Sequence, residues 1–563
     1  MARPLRLLGR CAAALVLLGS SFGGTAHAAY YGSPPNLCTH GSPLCIDVAE
    51  SASVLGNYVG HDEPSLLFYS DQHGSGNSTQ YRMRLPKDPP VQPRNNGTGG
   101  TFNFQNHPAF WVGMALCDNQ SAPMPSSTRC RPGTDANIFD SADPTNPKYI
   151  GNHPGTAFVE MQLYPPGWVP WPASQFINGG SSCDATRWCA ALAIFSLQEN
   201  MNTRVFNNAD CQARSGVESF NFAFVTTNGV PTGPPDPLNQ TTAGTFTPNA
   251  NRDLFMNSGD VLSIDMHDTE NGLQVRINDQ STGERGLMTA SPQNGFAQVV
   301  FDPTATTCTE KPYAFHPMYS TASEHTRVPW AAHTYNVAFS DEIGHFEYCP
   351  QVTGDVPAAV CTATSTASDP GGADADDKSP NCAPAEESTR VRISGCTGTD
   401  VDFDGVPYQA RSWPGTGTPS TLVSTPIVFT SPLFNGDRNY ERAAFEADMP
   451  AIESGCNRGT GAGCTNPPLG ANFYPIYSTG RDVGNQNGRG DRLANDSQIG
   501  GCVWQFGGPA ISETTNNFGG TSTTEFGAIF AQAIPFPGGP RLRFENNRQI
   551  LPSNPCPTEG GQG

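Results

Sequence analysis

Short runs in which apolar and polar residues alternate recur along this chain, each bounded by Gly, Pro, Asn or Asp, and such alternation marks strands buried on one side. The run 158–164 sets Val159, Met161 and Leu163 on one side and Glu160, Gln162 and Tyr164 on the other. The run 261–267 repeats the device, with Leu262, Ile264 and Met266 opposed to Ser263, Asp265 and His267. After the turn Glu270-Asn271-Gly272 it continues in 273–278, and two such runs joined by a short Asn-Gly connection predict a hairpin. Further strands are expected at 220–226, 296–301, 334–339 and 345–348. Residues 187–200 fit a helix or a buried strand and, lacking a polar side around Leu192, Ile194 and Phe195, are read as the strand, whereas 439–453 has the spacing of a helix.

The composition of 351–389 shifts to Ala, Ser, Thr, Asp, Pro and Gly, which predicts a linker. It divides a main domain, 29–350, from a smaller C-terminal β domain, 390–563, whose strands are expected near 391–394, 426–430, 502–506 and 542–544 and which ends in a Gly-rich tail. The expected fold class is all-β, an antiparallel β-sandwich. No internal repeat of fixed period is visible.

Residues 1–28 change the picture of where such a protein works. Three arginines, an apolar run from Cys11 to Leu18 and the ending Ala26-His27-Ala28 read as a secretory signal cleaved after Ala28. Its apolar core is too short to span a bilayer, and no later stretch would hold the mature chain in a membrane. Removing it takes one of 17 cysteines and leaves an even number, which in an exported chain predicts a disulfide-rich framework. Cys38/Cys45, Cys117/Cys130, Cys183/Cys189, Cys456/Cys464 and Cys502/Cys556 are candidate neighbours. With 31 basic against 51 acidic residues the net charge is −20, the basic residues are scattered, and nucleic acid is excluded as the expected partner. Sixty Gly and 51 Pro argue for many turns and little amphipathic helix.

The polar side of 158–164 presents a carboxylate and two hydrogen-bonding groups at intervals of about 7 Å, the repeat of alternate strand residues. That row suits an extended sugar chain. Glycoside hydrolysis needs two carboxyl groups flanking the scissile bond, so Glu160 as acid/base or nucleophile and Asp265 as its partner are the expected catalytic pair, provided both strands line one groove. Gln162, Tyr164 and His267 would position the sugar, and Trp168 and Trp171, on a Pro-rich loop after the Glu160 strand, would stack on flanking rings. The alternative for all of them is an ordinary solvated strand face or sandwich end.

These two segments, 158–164 and 261–283, resemble the sheet of the concanavalin-A-like lectin and glucanase superfamily. The resemblance implies a curved two-sheet jelly roll whose concave face binds glycans, with catalytic glutamates there in its hydrolases. Gln162 stands where the glucanase pattern favours a second acid, which separates binding from cleavage.

Two other chemistries compete. His316, His325, His333 and His345 fall within thirty residues among Glu324, Asp341, Glu342 and Glu347, and His325 with His333 would be the ligands of a transition metal in a metal-dependent hydrolase or oxidase. No H-E-x-x-H spacing supports them. Asp400, Asp402 and Asp404 followed by Gly405 match the first half of a calcium loop, but Arg411 replaces the closing glutamate, which excludes an EF-hand and leaves solvated acid in a linker or a structural calcium. No nucleophile elbow or phosphate loop occurs. The expectation is therefore a secreted, carbohydrate-active protein whose partner is an extracellular polysaccharide. It is read first as a glycoside hydrolase and second as a noncatalytic glycan-binding or cell-surface protein.

Overall fold

The computed structural model describes residues 65–70, 72–87, 110–121, 127–138, 145, 147, 156–164, 184, 186–200, 205–216, 218–240, 243–318, 330–334, 352–353, 360–361, 427–450, 476–479, 503–506, 514–515, 529–535, 541–551 and 554. Within them the protein is built almost wholly of antiparallel strands in two large sheets.

The first sheet runs, in spatial order, Ile529–Pro535, Arg541–Leu551, Arg442–Pro450, Ser65–Tyr69, Trp330–Thr334, Phe110–Cys117, Thr156–Tyr164, Arg187–Leu197 and Glu218–Phe224. The second runs Arg285–Thr289, Gln274–Asp279, Val261–His267, Ser78–Arg84, Ile427–Thr430, Val503–Phe506, Ile476–Thr479 and Thr514–Thr515. Both sheets feed one core. Val159, Met161, Leu163, Leu192 and Ile194 from the first lie in the same buried cluster as Tyr81, Met83, Leu262, Ile264, Met266, Val275 and Ile277 from the second. Each such side chain removed from water contributes about 1.5–3 kcal/mol, and the alternation in sequence aims them all the same way.

The hairpin is formed as expected. Val261–His267 and Gln274–Asp279 pair from Leu262 opposite Asp279 to His267 opposite Gln274. Thr269 closes the turn, its N–H and Oγ1 both donating to the Gly272 carbonyl, at 3.2 and 2.7 Å. Arg187–Leu197 is a strand buried at all nine interior positions, the strand rather than the helix that its lack of a polar side also allowed.

Two expectations change. Residues 442–450, within the expected helix, form a strand paired on both sides, with Ser65–Tyr69 and Arg541–Leu551. Helix propensity is a weak preference, and hydrogen bonding along two strand edges overrides it. The described C-terminal strands do not make a separate sheet, because Arg442–Pro450 pairs with Ser65–Tyr69 and Ile427–Thr430 with Ser78–Arg84. The division at 351–389 therefore does not separate two β domains, and within that segment Val352–Thr353 and Val360–Cys361 pair with each other. A strand is found at Trp330–Thr334; residues 335–339 of the strand expected at 334–339, with 345–348 and 391–394, lie outside the described residues.

Two disulfides are described. Cys117–Cys130 closes a short loop, as its spacing suggested. Cys211–Cys308 was not anticipated: it joins positions 97 residues apart, tying the short helix Ala209–Ser215 to the segment before Glu310–Pro312. Cys189 is also disulfide-bonded, while Cys38, Cys45, Cys183, Cys456, Cys464, Cys502 and Cys556 lie outside the described residues. Among the described residues no helix is long and apolar enough to cross a membrane.

Candidate functional site

The structure does not bring Glu160 and Asp265 together. Their apolar neighbours, Val159 and Met161 in one case and Ile264 and Met266 in the other, belong to the core shared by the two sheets. Alternation then turns Glu160 and Asp265 outward on different sheets, away from that core and from each other. The single groove expected of them is not formed.

The Glu160 side of its strand is moreover closed. Glu160, Gln162 and Tyr164 are 4%, 7% and 5% exposed. They satisfy one another along the strand: Gln162 Nε2 donates to Glu160 Oε2 at 2.5 Å, and the Tyr164 hydroxyl donates to Gln162 Oε1. Tyr164 packs with Phe222, Phe224, Phe246 and Phe255 in a second apolar cluster on this side of the sheet. Gly113 and the buried Trp111 sit opposite Glu160 and Gln162 in register, and the Phe158 ring lies so close over Gly113 that a Cβ there would meet it at 2.4 Å. This polar row is a buried ladder rather than a floor for a sugar.

Asp265 and His267 stand in the opposite situation. On the four neighbouring strands Ser78–Arg84, Val261–His267, Gln274–Asp279 and Arg285–Thr289 the inward positions are buried, and the outward ones are exposed or half-buried apart from Val261. Register sets Gln80, Asp265, Arg276 and Leu287 in one cross-strand row and Ser78, His267, Gln274 and Thr289 in the next. Asp265 Oδ2 lies 3.2 Å from His267 Nδ1, and Gln80 Nε2 donates to Asp265 Oδ1 at 3.5 Å. Arg276 Nε donates to Gln274 Oε1 at 2.5 Å, and Gln274 Nε2 donates to Thr289 Oγ1 at 2.7 Å. Gln80 and Gln274 thus tie side chains of adjacent strands together, and the contacts within strands fix others, on a partly solvent-exposed surface that presents donors and acceptors at a reduced ordering cost on binding.

Of the other expected site residues, His333 occupies the register position between Trp111 and Ser65 in the first sheet. Trp168, Trp171, His325, Asp400, Asp402 and Asp404 lie outside the described residues. Among the described residues no group of three His, Cys, Asp or Glu side chains is placed to hold a metal ion.

Two features had little or no signal in sequence. His316 Nδ1 lies 2.8 Å from Asp268 Oδ1, both side chains buried, and Asp268 Oδ2 accepts the Gly133 N–H at 2.5 Å. This pair fastens the loop around Gly133 to the end of the hairpin strand that carries His267. The only hint was the histidine-rich segment, since Asp268 is 48 residues away.

The second feature is a pair of carboxyl groups, Asp236 and Glu310, gripped by one turn. Asp236 Oδ1 accepts the Asn239 N–H at 2.7 Å, while Glu310 accepts the Leu238 N–H at 3.1 Å and Asn239 Nδ2 at 2.9 Å. Burial first, and Asp236 beside it second, push the Glu310 carboxyl from 4.5 up to about 7, against the Leu238 N–H and Arg214, which favour its charged form. Between these two values the folded chain holds a proton that the unfolded chain has lost, so stability falls as pH rises through the window and is level above it. Half of Glu310 remains near solvent, so the loss is on the order of 1 kcal/mol. Glu310→Gln, whose amide keeps an acceptor for the turn and gives Asp236 a donor, is expected to reduce this part of the slope when melting temperatures are compared at about pH 5 and about pH 8. An unchanged difference between the two pH values would refute the raised Glu310 carboxyl.

No family model, curated protein or solved structure matches this chain.

Proposed function

We propose that the protein binds a glycan on the outward face of the second sheet, around Asp265, His267, Gln80, Gln274 and Arg276. The observation that carries the reading is the ordered, half-buried to exposed polar surface of four adjacent strands. Hydroxyl-rich ligands are recognised by such fixed arrays of donors and acceptors. The secretory features of residues 1–28 and the disulfides fit a ligand met outside the cell.

Binding is favoured over cleavage. Paired-carboxylate hydrolysis needs two carboxyl groups about 5–10 Å apart across the sugar. On the outward positions of these four strands Asp265 stands alone, and Glu160 is sealed on the other sheet. Asp265→Ala and His267→Ala are each expected to weaken retention on an insoluble polysaccharide about tenfold, equal to about 1.4 kcal/mol, without any release of reducing ends by the parent protein. Newly formed ends would restore the hydrolase reading. Retention indifferent to both substitutions would move the glycan off this face.

A further inference from the structure

We infer that the ligand of this face is an acidic polysaccharide, one whose sugar units carry carboxylates, recognised by a row of arginines. The inference rests on the glycan reading above and adds the chemical class.

The chain as a whole is strongly acidic, at −20. The outward positions of these four strands reverse that sign: they hold Arg82, Arg84, Arg276 and Arg285 against the single carboxylate of Asp265. The grouping is made by register. Arg82 lies opposite Ser263, Ser263 opposite Asn278, and Asn278 opposite Arg285, so Arg82 and Arg285 close the two ends of one row crossing all four strands. Three steps of about 4.8 Å put their backbones about 14 Å apart. Arg276 belongs to the adjacent row, on the strand next to Arg285, and its guanidinium is steadied through Nε by Gln274. Arg276 and Arg285 are exposed, and neither makes an ion pair among the described residues. Asp265 is instead engaged by His267 and Gln80.

Spaced guanidinium groups on a basic face of an acidic protein, with those of Arg276 and Arg285 exposed, fit a ligand with repeated planar anions. Arginine binds a carboxylate through two parallel N–H···O bonds, and a polymer of uronate units offers such groups at a period set by its sugar repeat. The polar residues between the arginines, Ser263 and Asn278, suit the hydroxyls between the carboxylates. Single-stranded nucleic acid, the other common polyanion, is held by bases stacked on aromatic rings, and the outward positions of these strands carry no aromatic side chain other than His267.

The test is isothermal titration of the full-length protein with polygalacturonate, its carboxyl-reduced neutral counterpart, a sulfated polysaccharide, a neutral β-glucan and single-stranded DNA, at low and high salt. Polygalacturonate is expected to bind best and to weaken with salt. Arg276→Gln and Arg285→Gln are expected to cost about tenfold each, and Arg285→Lys less, because it keeps the charge and loses the fork. Both positions are exposed, so melting temperatures should stay at the parent value. Equal binding of the carboxyl-reduced polymer, tighter binding of the sulfated polymer or of DNA, or unchanged affinity in the double variant would overturn the inference while leaving glycan binding in place. If no polymer binds, neutral or acidic, the glycan reading falls with it.

Discussion

Replacing Cys211 and Cys308 together by serine is expected to lower the unfolding free energy by about 3–4 kcal/mol, read as a fall in the urea midpoint at constant slope. The bond closes a loop of 97 residues, one of the long closures for which the entropy lost from the unfolded chain is greatest. The native side contributes as well. Cys211 and Cys308 are buried against Leu238 and Val299, the Cys211 N–H is capped by Asn208, and the Cys308 N–H donates to Asp210. Serine hydroxyls in that cluster would be desolvated where sulfur was at home, which adds to the loss. Serine at Cys117 and Cys130, whose loop spans only 13 residues, should cost less. A larger midpoint shift from the shorter loop would contradict loop closure as the dominant cause.

Which parts of this molecule were legible in its sequence follows from what a local pattern records. Alternation reports that a strand has two unlike sides, and Val261–His267 is observed with the bounds the pattern gave. It does not report what covers the polar side. For Asp265 that is largely solvent, and on the Glu160 side it is Phe158 of its own strand together with Trp111 and the phenylalanines of Glu218–Phe224, the latter brought by strands whose neighbourhood only the sheet order defines. The same limit explains Arg442–Pro450, where Ala and Glu favour a helix locally but both pairing partners lie roughly a hundred residues or more away. It also explains the basic face. In sequence Arg82, Arg276 and Arg285 look scattered through an acidic chain, and nothing local distinguishes them from solvated surface charge. Antiparallel register is what lines Arg82 up with Arg285 across two intervening strands, so the electrostatic character of the site emerges only with the topology.

The turn at Gly272 gives a sharp expectation because it links strain to the proposed site. Gly272 has φ +119°, and a Cβ there would lie 2.3 Å from the Ala290 carbonyl oxygen, a backbone atom with no rotamer by which to withdraw. Ala290 is itself fixed, its N–H donating to the Leu273 carbonyl at 2.8 Å, while the Leu273 N–H donates to Phe315 at 2.8 Å. Gly272→Ala therefore combines a disfavoured backbone conformation, about 1–3 kcal/mol, with overpacking of similar size, for a total of about 3–5 kcal/mol. Gly283, in the turn after Gln274–Asp279, is the internal control: its φ is +83°, yet a Cβ there would meet nothing within 4 Å. Gly283→Ala should pay only the conformational part, about 1 kcal/mol. The two turns flank the same strand, which bears Gln274 and Arg276, so the larger strain at Gly272 should also loosen the pairing of His267 with Gln274 and weaken ligand binding beyond what Gly283→Ala does. Equal denaturation midpoints for the two variants would mean that the Ala290 backbone yields, and that close approach does not fix this end of the hairpin.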